Sequence, residues 1–170
     1  MRLARFLAVL LAAGLLGACA NYSLGPTAAL PFHSLYVATV QNKTYVPQAQ
    51  APVTESLRQS LLQEGNLHLS DQESADATLE VVLTDYRRSV AATEQSNTLN
   101  ARSYTLTLVA SCTLVNNHSG KVYFKDRIVS TSSEAYISQG NDFSEPEYQS
   151  IPILARELGR KIKDTVVGTW

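Results

Sequence analysis

SYTLTLVASCTLV, residues 103–115, decides the fold. On an extended chain Tyr104, Leu106, Leu108, Ala110, Cys112 and Leu114 fall on one side. Thr105, Thr107, Ser111 and Thr113 fall on the other. That alternation is period two, the signature of a strand with one buried face. Downstream, Asn116-Asn117-His118-Ser119-Gly120 reads as a turn, because Asn and Gly tolerate positive φ. A further strand runs from Lys121 to about Ile137, so the two should pair as a hairpin. Upstream, in ADATLEVVLTDYRRSV (75–90), Ala77, Leu79, Val81 and Leu83 alternate with Thr78, Glu80, Val82 and Thr84, giving another half-buried strand.

Nearer the N-terminus, SLYVATV (34–40) is rich in β-formers and predicts a first strand. A polar loop holding Pro47 and Pro52 follows. Val53, Leu57, Leu61 and Leu62 then recur at helical spacing, with Thr54 as N-cap and Gly65 as stop. Leu67 and Leu69 form a short apolar patch. After a polar loop at 138–147, Ile151, Leu154, Ala155, Leu158, Ile162 and Val166 lie three or four apart. Arg156, Arg160, Lys161 and Lys163 lie mostly opposite them, so an amphipathic helix of about five turns closes the chain. The order β-α-β-β-β-α predicts an α+β fold. It is a two-layer sandwich of about four mainly antiparallel strands with two helices packed on one face. The other face, rich in Thr and Ser, is left open.

The chain begins with Arg2 and Arg5, then an apolar run from Phe6 to Leu16. At about 11 residues it fits an export signal and is too short to span a bilayer as a helix. Leu16-Gly17-Ala18-Cys19 resembles a bacterial lipobox. The resemblance implies cleavage before Cys19, which then carries a diacylglyceryl thioether and an N-acyl chain of the palmitate class. Several acyl chains hold a protein stably at a membrane where one does so only marginally. Ala20, in place of the Asp that commonly retains such lipoproteins at the inner membrane, points to the outer membrane. The expected organisation is a signal peptide at 1–18, a lipidated tether at 19–33 and one domain at 34–170. It is lipid-anchored at the outer membrane on the periplasmic side.

The 170 residues carry 14 basic and 15 acidic side chains. Removing Arg2 and Arg5 with the leader leaves 12 against 15, a net charge near −3 and no nucleic-acid footprint. Of the two cysteines, a lipidated Cys19 leaves Cys112 without an internal partner, and its place on the apolar face predicts a buried, inert thiol. His33, His68 and His118 lie in no metal-binding spacing. Ser130-Thr131-Ser132-Ser133 lacks the glycines of a nucleophile elbow, and Asp71, Glu73 and Asp76 lack the layout of a calcium loop. No catalytic residue, metal site or cofactor is expected, and the chain reads as a non-enzyme.

Its cations offer more. Arg87 and Arg88 end one strand. Lys121, Lys125 and Arg127 share parity with Tyr123, which predicts one cationic and aromatic stripe able to meet phosphate-bearing lipid.

One set of motifs spans nearly the whole mature chain. After the lipobox come Tyr22-Ser23-Leu24-Gly25 and Val40-Gln41-Asn42-Lys43-Thr44-Tyr45-Val46-Pro47. Ala75-Asp76-Ala77-Thr78-Leu79 then leads to Asp85-Tyr86-Arg87-Arg88, a long hairpin and the final helix. This pattern resembles the LptE family, the outer-membrane lipoprotein of the lipopolysaccharide translocon. The resemblance implies a domain that plugs the LptD β-barrel, assists its assembly and contacts lipopolysaccharide on its way to the outer leaflet. A barrel wide enough to pass a glycolipid leaks unless its lumen is filled. Position and charge make Arg87 and Arg88, then Lys121, Lys125 and Arg127, the candidate lipopolysaccharide contacts. The rival reading is a lipoprotein activator of a peptidoglycan synthase. A tether of about 14 residues, ~50 Å when extended, is too short to cross the periplasm for that task. A periplasmic hydrolase is disfavoured by the lack of a paired nucleophile and base.

Overall fold

The computed structural model describes residues 30–93, 101–136 and 144–168. The signal peptide, Cys19 and most of the tether lie outside them.

Three long strands carry the sheet: β4 (Ala77–Thr93), β5 (Ala101–Asn116) and β6 (Val122–Tyr136), each antiparallel to the next. Ahead of them in sequence come β1 (Ser34–Val37), β2 (Gln41–Asn42) and β3 (His68–Leu69). The sheet order is β3-β1-β4-β5-β6, with β2 also on β4. β1 runs parallel to both β3 and β4, and β2 runs parallel to β4. Helix α1 (Gln50–Leu62) supplies the crossover that a parallel β1–β3 pair requires, and α2 (Ser144–Val167) follows β6. The fold is the expected α+β sandwich with more strands than the pattern predicts. The expected first strand at 34–40 ends at Val37 as β1, β2 forms beyond it in the expected loop, and the Leu67–Leu69 patch contains β3.

The alternations set the core. Ala77, Leu79, Val81 and Leu83 of β4 are buried, as are Leu106, Leu108, Ala110, Cys112 and Leu114 of β5. Val53, Leu57 and Leu61 of α1 meet them, with Ile151, Leu154, Ala155, Leu158, Ile162 and Val166 of α2. Each such leucine contributes ~1.5–3 kcal/mol on leaving water. Leu62, at helical spacing with this set, points to solvent, 65% exposed.

Helix α1 also starts earlier than Thr54. A 3-10 turn at Pro47–Ala49 leads directly into it, and Thr54 lies within the helix, its hydroxyl donating to the Gln50 carbonyl at 2.9 Å. Pro52 sits in the first turn, where its missing N–H costs nothing. The two helices cross backbone to backbone at Gly159, where a Cβ would stand 2.8 Å from the Leu57 nitrogen.

Two local devices explain the Asn42-Lys43-Thr44 and Ala75-Asp76-Ala77 motifs. Asn42 Oδ1 accepts from the Thr44 N–H and hydroxyl, both at 2.8 Å, while its Nδ2 donates to the Val46 carbonyl at 2.8 Å. The Asn42–Val46 loop is thereby closed on itself. In Ala75-Asp76-Ala77 the alanines are buried, and Asp76 Oδ2 accepts the His33 and Ser34 backbone N–H groups, both at 2.9 Å. The Asp76 N–H donates to Ser34 Oγ at 2.9 Å, and His118 Nε2 lies 3.3 Å from Oδ1. One carboxylate thus ties the entry of β1 to the start of β4 and to the β5–β6 turn. These donors, the His33 N–H foremost, hold its carboxyl well below the usual carboxylate range.

Candidate interaction surface

Period two places Arg87 and Arg88 on opposite faces of β4. Arg87 stands opposite Thr107 on the open face and Arg88 opposite Leu106 on the helix side. Arg87 is exposed and pairs with Asp85 at 2.9 Å. Arg88 lies 3.7 Å from Glu147 of α2 and stacks 5.4 Å from the Tyr104 ring centre. Glu147 also accepts from the Tyr86 hydroxyl at 2.9 Å. Tyr86 is buried because a bulge between Leu83 and Asp85 shifts the parity of β4 and turns it inward. Burial first, then the bond to Glu147, raises its phenol above the ordinary tyrosine value. Tyr45, 71% exposed, meets Tyr86 edge-on at 5.5 Å. Tyr45, Tyr86, Glu147, Arg88 and Tyr104 therefore join four segments that no spacing motif connects. Beyond Tyr86, every side chain of β4 from Arg87 to Thr93 is exposed, while Leu106 and Ser103 opposite them on β5 stay buried, so the β4–β5 ribbon is open on its β4 side.

The expected stripe of Lys121, Lys125 and Arg127 does not form. Register shifts between Cys112 and Leu114 and between Leu114 and Val115 break the alternation, and Asp126 adopts φ 52°. Lys121 precedes β6 and stacks 5.6 Å from Tyr123. Arg127 stands opposite Cys112 on the helix-side face, 4.6 Å from Phe124. Lys125 is exposed beside the bulge. From the Thr107 level of Arg87 to Asn116, which bonds to Lys121, is about 30 Å along β5, so the five cations make separate groups.

The open face carries the polar rows expected of it. Arg87, Thr107 and Ser132 stand in line, as do Ser89, Thr105 and Glu134. The Thr107 and Ser132 hydroxyls share a hydrogen bond at 2.8 Å. Val82, Ser111 and Ile128 form a more apolar row below. Among the described residues no group of three His, Cys, Asp or Glu converges as a metal site. Burial pushes the Cys112 thiol up to about 12. No helix of the described residues is long and apolar enough to cross a membrane.

The described residues thus form a small mixed sheet with two helices on one face and a hydroxyl-rich open face on the other. The LptE family model, described as lipopolysaccharide-assembly, matches residues 32–166, and the chain belongs to that family. Among curated proteins none matches the sequence. Several solved structures share the fold. A minor lipoprotein of Acinetobacter baumannii is 14% identical, with 82% of this chain and 95% of that one covered, at a TM-score of 0.56. An uncharacterized lipoprotein B of Nitrosomonas europaea is 10% identical, with 86% and 88% covered, at 0.54. A Xanthomonas campestris protein is 10% identical, with 88% and 91% covered, at 0.58. At these identities the likeness is one of fold.

Proposed function

We propose that this chain is the lipid-anchored subunit of an outer-membrane lipopolysaccharide translocon, held through Cys19 on the periplasmic side. There it fills the lumen of an LptD-like β-barrel, assists the barrel's assembly and contacts lipopolysaccharide in transit. The observation that carries the reading is the family match over residues 32–166. The open face supports it. Hydroxyl rows such as Thr107–Ser132 suit a polar, water-lined barrel wall, and Val82 and Ile128 add modest apolar contact. The proposed phosphate contacts are Arg87 and Arg88 at the ribbon, with Lys121, Lys125 and Arg127 as a second, separate group. Lipid A phosphates would meet guanidinium forks there through charge-assisted hydrogen bonds. The proposed role is non-enzymatic.

Affinity purification of the tagged chain from detergent-solubilised outer membranes tests the reading. Recovery of a large β-barrel supports it, and recovery of a peptidoglycan synthase in its place overturns it. A Cys19→Ala chain should carry no lipid label and lose its membrane attachment.

A further inference from the structure

β6 is an edge strand. β5 pairs with one side of it, and among the described residues nothing pairs with the other. Lys161 of α2 reaches round to that side and donates from Nζ to the Ser130 carbonyl at 2.9 Å. This bond fixes which backbone groups face outward. In an antiparallel strand a residue's N–H and C=O point the same way, and alternate residues share that direction. The main-chain groups of Ile128, Ser130, Ser132 and Glu134 therefore face away from β5. A free row of this kind is a template for another strand.

The space beside it suits one. A groove of about 320 Å³ lies between the strand and α2, lined by Ser132, Ser133, Ile153, Leu154, Arg156 and Glu157. Ile153 is 55% exposed and offers an apolar floor. The charges along this edge are Lys125, Arg127, Arg156 and Lys161 against Asp126, Glu134 and Glu157. Glu157 is held by Arg160, whose Nε donates to it at 3.2 Å, and Glu134 accepts the Tyr136 hydroxyl. Arg156 has no ion pair among the described residues. The groove thus presents spare positive charge beside outward carbonyl and N–H groups.

We propose that the free edge of β6 docks one extended polypeptide segment of a partner by strand addition, with carboxylate side chains alternating along the segment on its α2 side. Its main-chain N–H groups take over from Lys161 at Ser130 and continue at Ser132, while its acidic side chains meet Arg156 and Lys161. The charge selects this occupant over a second copy. Two β6 edges paired about Ser130 would set Lys161 against Lys161 and bring Arg156, at the Ser132–Ser133 level, opposite Arg127 of the other copy. The inference does not depend on the proposed lipopolysaccharide contacts.

The test uses the full chain in detergent micelles and a blocked heptapeptide of alternating glutamate and valine. One control peptide replaces glutamate by lysine, and another is N-methylated throughout. Expected are saturable binding of the acidic peptide, slowed amide exchange at Ile128, Ser130, Ser132 and Glu134, and loss of both with either control. Arg156→Glu, at an exposed site, should weaken binding about fivefold with an unchanged circular dichroism spectrum. Absence of protection on β6, or equal binding by the N-methylated peptide, overturns the proposal. So does protection of the same amides without peptide in a chain that sediments as a dimer, which would make the occupant a second copy.

Discussion

Gly159 backs directly onto Leu57: a Cβ at 159 would stand 2.8 Å from the Leu57 nitrogen and 3.1 Å from its Cα. Those atoms belong to the α1 backbone and cannot swing aside, so any side chain forces the helices apart. Gly159→Ala should therefore cost about 1–3 kcal/mol despite the better helix propensity of alanine. Thermal unfolding measures it, and an unchanged or raised midpoint would show that the crossing is looser than described.

Asp76 makes the fold sensitive to acid in a defined sense. Its folded carboxyl is held below the usual range, so its contribution is fully present above the unfolded value of about 3.9. That contribution is lost as pH falls through the folded value. Asp76→Asn should lower the melting temperature by a constant amount above about pH 5, and the gap from the parent chain should close in stronger acid. A gap that widens on acidification would contradict the clasp.

The thiol of Cys112 is buried, and burial raises it to about 12. An aromatic disulfide reagent at pH 8 should leave it unmodified in the folded chain and react only at the rate of unfolding. Complete reaction within minutes under native conditions would place it at the surface instead.

Much of this architecture is visible in the residues. The β4 and β5 alternations hold through Leu83 and Leu114, and the helical spacing of α2 holds from Ile151 to Val166, because each buries one continuous face. The two-residue strands β2 and β3 are too short to show a period and arise from tertiary pairing. The start of α1 is hidden because prolines at 47 and 52 look like loop residues when they in fact open a 3-10 turn and a first helical turn. The β6 stripe fails for a local reason: parity survives only while register does, and the bulges around Tyr123 and Asp126 end it. The network of Tyr86, Glu147 and Arg88 has no sequence signature, since 61 residues separate Tyr86 from Glu147.

That network separates two arginines that sequence treats alike. Arg88→Glu sets a second carboxylate against Glu147 and should cost about 1 kcal/mol or more of stability. Arg87→Glu breaks only an exposed pair with Asp85 and should leave the fold unchanged while weakening lipopolysaccharide binding. Binding of labelled lipopolysaccharide alongside thermal melts distinguishes the two, and undiminished binding by Arg87→Glu would remove that residue from the proposed contacts.

Tyr86→Phe should remove about 1–2 kcal/mol, the worth of a partly buried hydrogen bond to a carboxylate. A double-mutant cycle with Glu147→Gln should show coupling between the sites. Strict additivity would mean that the 2.9 Å bond contributes nothing.

The proposed placement of the open sheet face against a barrel wall is tested most directly by photocrosslinking in living cells. A photoreactive amino acid is introduced in place of Thr107 or Ser132 on that face, with Gln59 of α1 as the comparison. Capture of one large outer-membrane β-barrel from positions 107 and 132 is the predicted result. No adduct from either position, or an adduct with a peptidoglycan synthase, would contradict it.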